Sequence, residues 1–264
     1  MSRLAAESGH KFLSIKRPKY IIQFLLLSMM MPLNVIHKIL AFDTSTTRGS
    51  VALLEGREVR AEIRLNSSHT HSTLLLSSIN FLLERLKWSL KNLDLVAAGI
   101  GPGSFTGIRI GVATALGLSQ SLSIPFAGIS GLDALAYQVK FLNGKIGVIL
   151  DASRSQVFYG EYACKGGGIR RIQKSALIGV SDLEHYLADR HLYIVGDISS
   201  CRFMETKKSS MSRLHPIPVD MFLAASIGQL AGSRKNKWRS GNYAITEPMY
   251  IRQPDALENK RRKR

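Results

Sequence analysis

The chain has 264 residues, 45% of them hydrophobic, and its 36 Lys+Arg against 19 Asp+Glu give a formal net charge of +17. That length and apolar content suffice to bury a sizeable core in one or two domains. The two cysteines, Cys164 and Cys201, are too few for a disulfide framework and lack metal-ligand spacing, as expected of a protein from a reducing cytosol.

Basic residues precede the apolar run at 20–35, which superficially resembles a signal peptide. Gln23, Ser28, Pro32 and Asn34 interrupt it, no small-residue cleavage site follows, and it is short for a membrane span. Residues 35–42 then predict a buried strand ending at Asp43, followed by a polar turn at 44–49 and a second strand at 50–54. Glu55-Gly56-Arg57 turns the chain into an alternating strand at 58–65.

A polar stretch containing His69 and His71 leads into a helix predicted over 73–88, with Leu75, Ile79, Leu82 and Leu86 as its core stripe. Leu74, Leu76 and Leu83 widen the apolar surface, so the helix needs a second partner inside the domain or on another chain. His69 and His71 invite a metal reading, but with no third ligand evident they read as polar residues of a helix-entry loop.

The stretch at 99–111 follows an apolar strand at 95–98 and opens onto a helix predicted over 112–122. Glycines permit close backbone approach and a helix start attracts anions, so a strand–glycine–helix turn suits a phosphate. No lysine follows, which excludes a Walker A loop, and the spacing of Gly101, Gly103 and Gly107 misses the dinucleotide pattern. Ser104 or Thr106 equally suits a helix cap, so the turn reads as ligand-binding or structural.

A short strand at 124–130 and a helix at 131–141 precede the turn Asn143-Gly144, the expected lobe boundary. Residues 146–150 form a strand ending in Asp151, with a polar turn and a returning strand at 156–162. This echo of 39–54 predicts two related lobes. Further on, 181–190 reads as a helix, 191–195 as a strand, 199–215 as a loop with a helical piece, and 218–230 as an apolar helix. Arg234, Lys235, Lys237 and Arg239 surround Trp238, a pattern that fits RNA contact or a solvated helix end.

The eleven residues GPGSFTGIRIG at 101–111 resemble the signature of the TsaB (YeaZ) family. The segments at 71–77, 151–158 and 248–256 resemble further family motifs in the right order, with Thr73, Ser77, Ser153 and Phe158 as departures. The resemblance implies an α/β fold of two actin-like ATPase lobes (ASKHA, ribonuclease H-like) with duplicated β-rich halves. These are expected at 36–143 and 144–256, followed by a basic tail at 257–264. Residues 1–35 are expected to be an extension, disordered or upstream of a true start at Met29, Met30 or Met31.

The resemblance also implies a scaffold that activates the TsaD homologue, works with the ATPase TsaE, and serves threonylcarbamoylation of the adenosine beside the anticodon in tRNAs reading ANN codons. tRNA would be met indirectly or through basic regions, in the cytoplasm and without a membrane. Asp43, Ser45, Gly101, Gly103 and Ser104 are then vestigial nucleotide or phosphate loops, with ATP or ADP and Mg held within the complex, or turn architecture, the reading preferred. His71, Leu74, Leu75, Ile79 and Leu82 form the expected interface with TsaD or with a second copy in a homodimer. The histidines fall at 10, 37, 69, 71, 185, 191 and 215, and none makes the His-x-x-x-His pair of TsaD, so no catalytic or metal residue is assigned. The alternative is an active small-molecule kinase or ATPase of the same superfamily.

Overall fold

Four strands of the first half are apolar on both faces, which forces covering layers on each side. In the computed structural model, which describes residues 37–66, 71–188, 190–201 and 213–233, β1 (Lys38–Asp43), β2 (Arg48–Glu55) and β3 (Glu58–Asn66) form an antiparallel meander. β4 (Leu95–Gly99) and β5 (Phe126–Ile129) extend it in parallel, giving the order β3-β2-β1-β4-β5. Alternation then sorts the side chains: Leu40, Phe42, Val51 and Leu53 face one way, Ile39, Ala41, Ala52 and Leu54 the other.

The second sheet repeats this plan. β6 (Gly144–Asp151), β7 (Gln156–Lys165) and β8 (Gly168–Arg171) are antiparallel, β10 (Leu192–Gly196) and β11 (Leu214–Pro216) join β6 in parallel, and the order is β11-β10-β6-β7-β8. β9 (Ala176–Gly179) also pairs with β7. The internal echo at Asp43 and Asp151 is therefore a duplication of topology. Sequence reading missed β9 and β11, which have only four and three residues, too few to show a period.

Helices α1 (His71–Arg85) and α2 (Phe105–Leu122) cover the outer face of the first sheet, and α4 (Val180–Leu187) that of the second. The layer between the sheets holds, among the described residues, the last helix of each half, exchanged. α3 (Gly131–Gln138), from the first half, packs on β6, β7, β8 and β10, whereas α5 (Ala224–Ser233) crosses back onto β1, β2 and β4. Small residues permit it: Gly228 lies so close to Leu54 and Ala41, and Gly232 to Ile39, that a side chain at either would press into the sheet.

The sequence places α5 at 218–230, but the helix starts at Ala224. Pro218 has no N–H to give, and Asp220 is held instead by Gln138, whose Nε2 donates to the Asp220 carbonyl at 2.7 Å while its Oε1 accepts the Asp220 N–H at 2.8 Å. Among the described residues no helix is long and apolar enough to cross a membrane. The extension before residue 37, the Trp238 cluster, the segment at 248–256 and the basic tail lie outside the described residues.

Candidate functional site

The glycine stretch and the first polar turn meet at one corner of the first sheet. β1 ends at Asp43, which is 1% exposed, and the Asp43 carboxylate closes an Asx turn: Ser45 N–H donates to Oδ1 and the Ser45 hydroxyl to Oδ2, both at 3.1 Å. The neighbouring strand brings Gly99 against Asp43 Oδ1, where a Cβ would overlap the carboxylate. Beyond it, the Ser104 N–H donates to the Ser45 carbonyl at 2.7 Å, and the Thr44 hydroxyl donates to the Gly107 carbonyl at 2.7 Å.

The remaining glycines serve the same contact. A Cβ on Gly103 would overlap the Ser45 carbonyl, one on Gly107 the Thr44 carbonyl, and one on Gly111 would press on Thr44 Oγ1. Gly101, at φ +96°, accepts the Gly131 N–H at 2.9 Å and so ties the loop to the start of α3. Ser104 caps α2, accepting the Gly107 N–H at 3.3 Å. The helix therefore begins at Phe105 rather than at residue 112, because the cap and the buried approach of Gly107 and Gly111 outweigh the low helix propensity of glycine.

All five predicted loop residues come together here. A nucleotide-bound metal does not fit the corner: Asp43 and Ser45 are each 1% exposed, both Asp43 oxygens are engaged by Ser45, and the Ser45 and Ser104 N–H groups are spent within the chain. Among the described residues no group of three or more His, Cys, Asp or Glu is arranged to hold a metal ion.

The second half repeats the turn in weaker form. Ser153 N–H donates to Asp151 Oδ1 at 3.2 Å, and Ser153, Arg154 and Ser155 all carry positive φ, between 54° and 59°. Here Asp151 is exposed, and its own N–H is held by Asp197 Oδ2 at 3.1 Å. The other oxygen of Asp197 accepts from Arg48 Nη1 at 2.8 Å, joining β2 of the first sheet to the end of β10 in the second. Sequence reading missed this clasp. Its one signal was that Asp197, like Asp43 and Asp151, ends an apolar strand.

The predicted partner face is corrected by burial. Leu75, Ile79 and Leu82 are at most 4% exposed and belong to the chain's own core, where α1 packs on β2, β3 and α2, while Leu74 is half-buried. The side chain of His71 lies outside the described residues. The apolar atoms that α1 offers to solvent are Leu76, 53% exposed, and Phe81, 47% exposed, with the Arg85 guanidinium 4.9 Å from the Phe81 ring centre.

Comparison with known proteins agrees with this architecture. Residues 59–216, more than half of the chain, match the family model described as TsaD, tRNA N6-adenosine threonylcarbamoyltransferase. The chain is 34% identical over 152 residues to the tRNA threonylcarbamoyladenosine biosynthesis protein TsaB of Bacillus subtilis, covering 58% of this chain and 66% of that one. It is 33% identical over 150 residues to TsaB of Escherichia coli, covering 56% and 64%. This chain belongs to the TsaB (YeaZ) family. The matches span a little less than two thirds of those relatives' own lengths. YeaZ from Pseudomonas aeruginosa superposes with a TM-score of 0.63 at 25% identity, over 78% of this chain and 96% of that one. The α/β fold is thus shared with a solved YeaZ, and its duplicated halves are seen in the two sheet orders here.

Proposed function

We propose that this chain is the non-catalytic scaffold subunit of a tRNA threonylcarbamoyladenosine synthesis complex. In this reading it activates a TsaD homologue, with TsaE as the accompanying ATPase, to modify the adenosine beside the anticodon of tRNAs reading ANN codons in the cytoplasm. The observation that carries the non-catalytic part is the seating of Thr44 and Ser45 on Gly103, Gly107 and Gly111. The glycines of the signature make room for the chain's own backbone, where an active relative would need room for phosphate. Asp43, Ser45, Gly101, Gly103 and Ser104 are therefore read as turn architecture, and the lobes as 36–143 and 144–256 with α5 lent to the first.

The partner surface is read as the outward side of α1, centred on Leu76 and Phe81, with Leu75, Ile79 and Leu82 holding the helix in place from beneath. Nucleoside mass spectrometry tests the whole reading. tRNA is incubated with threonine, bicarbonate, ATP, the carbamoyl-adenylate synthase and the TsaD and TsaE homologues, with and without this chain. Threonylcarbamoyladenosine that forms only in its presence is the expected result. Equal product in its absence would refute the scaffold role.

A further inference from the structure

Among the described residues, the outer face of the second sheet is covered at one end only. Along β7 the residues on that face run Val157 and Tyr159, buried beneath α4, then Glu161, 2% exposed, then half-buried Ala163 and exposed Lys165. Glu161 seals the covered end: its Oε2 accepts from Arg190 Nη1 at 2.7 Å and from the Tyr186 hydroxyl at 3.2 Å. Beyond it the register sets Lys145 opposite Ala163 and Ala163 opposite Arg170, so that the three stand in one row across β6, β7 and β8. Directly opposed residues share a face of the sheet, and so do residues two apart, which adds Lys165 to that row's surface.

Lys145, Lys165 and Arg170 are all exposed, and among the described residues none is paired with a carboxylate. Of the acids on this face, Glu161 is paired with Arg190, and Asp151 stands at the far end of β6, opposite Val157. Between the cations and the covered end lie Ile172, 38% exposed, whose N–H donates to the Glu161 carbonyl, and Tyr186, 37% exposed, whose hydroxyl donates to Glu161 and whose ring has Arg190 4.3 Å from its centre. With strands roughly 4.8 Å apart, Lys145 and Arg170 stand about 10 Å from each other and bracket Ala163. Long unpaired cations set in one row complement the negative phosphate backbone of RNA.

We propose that the open end of this face, formed by Lys145, Lys165 and Arg170 with Tyr186 at its border, is a contact surface for the phosphate backbone of RNA. The identity of that RNA as tRNA rests on the functional reading above; the surface itself does not. The cations act without a base-specific partner, so they position the RNA and leave its sequence to be read elsewhere.

Filter binding of an unmodified tRNA transcript to the full chain, across a salt series, tests this. The triple variant Lys145→Gln, Lys165→Gln, Arg170→Gln is expected to bind on the order of tenfold or more weakly at about 0.1 M salt, with the slope of log K against log salt shallower by about 2 to 3. Arg170→Lys alone should keep the wild-type slope, and matching thermal melts would confirm that the triple variant is folded. Unchanged affinity and slope in the triple variant overturns the proposal. So does wild-type binding to polyglutamate as tight as to tRNA with both lost together, which would make this a face for acidic protein. A wild-type chain that binds tRNA through this face yet fails to support modification would refute the scaffold reading and leave the surface standing.

Discussion

The Thr44 hydroxyl donates to the Gly107 carbonyl at 2.7 Å, and the Thr44 carbonyl lies where a Cβ on Gly107 would stand. Turn and helix are locked by one residue's two oxygens. Gly107→Ala must push the turn off the helix, at an expected cost of about 1–3 kcal/mol. Gly117 lies on the same helix with nothing within 4 Å of its missing Cβ, and Gly117→Ala should stabilise by roughly 0.5–1 kcal/mol. Urea denaturation of the pair measures both. A neutral Gly107→Ala would mean that the corner is looser than its contacts imply.

Arg48 and Asp197 tie the sheets together across 149 positions of sequence. Asp197 is the more buried partner, and it also holds the Asp151 N–H, so Asp197→Ala leaves two groups unsatisfied and should cost about 1–3 kcal/mol. A double-mutant cycle with Arg48→Ala should return a coupling of about 0.5 kcal/mol or more. Strictly additive losses would show that the ion pair contributes nothing to the clasp.

The two sides of α1 should separate stability from assembly. Leu75→Glu or Ile79→Glu buries an unpaired carboxylate and should cost about 3 kcal/mol or more. Leu76→Glu and Phe81→Glu lie in solvent and should change stability by no more than about 1 kcal/mol, yet abolish co-elution with the TsaD homologue. Thermal melts and gel filtration check the two arms. Normal co-elution of both exposed variants would move the interface elsewhere.

Glu62 on β3 accepts two bonds from Arg64, at 3.0 and 2.8 Å, and Arg64 also pairs with Asp220 ahead of α5. Burial nevertheless pushes the Glu62 carboxyl above its ordinary range, outweighing the Arg64 guanidinium. A folded-state pKa above the unfolded one favours the protonated form, so the stability this group contributes is present at acid pH and lost as pH rises through the raised value. The melting temperature of wild type minus that of Glu62→Gln should therefore fall from about pH 4 towards pH 7. A difference that rises over the same range would mean that Arg64 governs the site.

The sequence by itself determined the longer strands and helices apart from some of their ends, the duplicated strand–turn–strand, the signature loop and the family, because short-range periodicity and turn chemistry are written in neighbouring residues. It also placed Asp43, Ser45, Gly101, Gly103 and Ser104 in loops that the structure brings to one corner. Only the tertiary structure decided what those glycines face, since a glycine that admits phosphate and one that admits the Ser45 carbonyl look alike in sequence. It likewise decided which side of α1 is core, because a helix apolar on two sides carries no direction until β2, β3 and α2 cover one of them. The exchange of α3 and α5 between sheets and the Arg48–Asp197 clasp belong to the same class. Each depends on residues far apart in the chain, and no local pattern encodes which buried face will meet which.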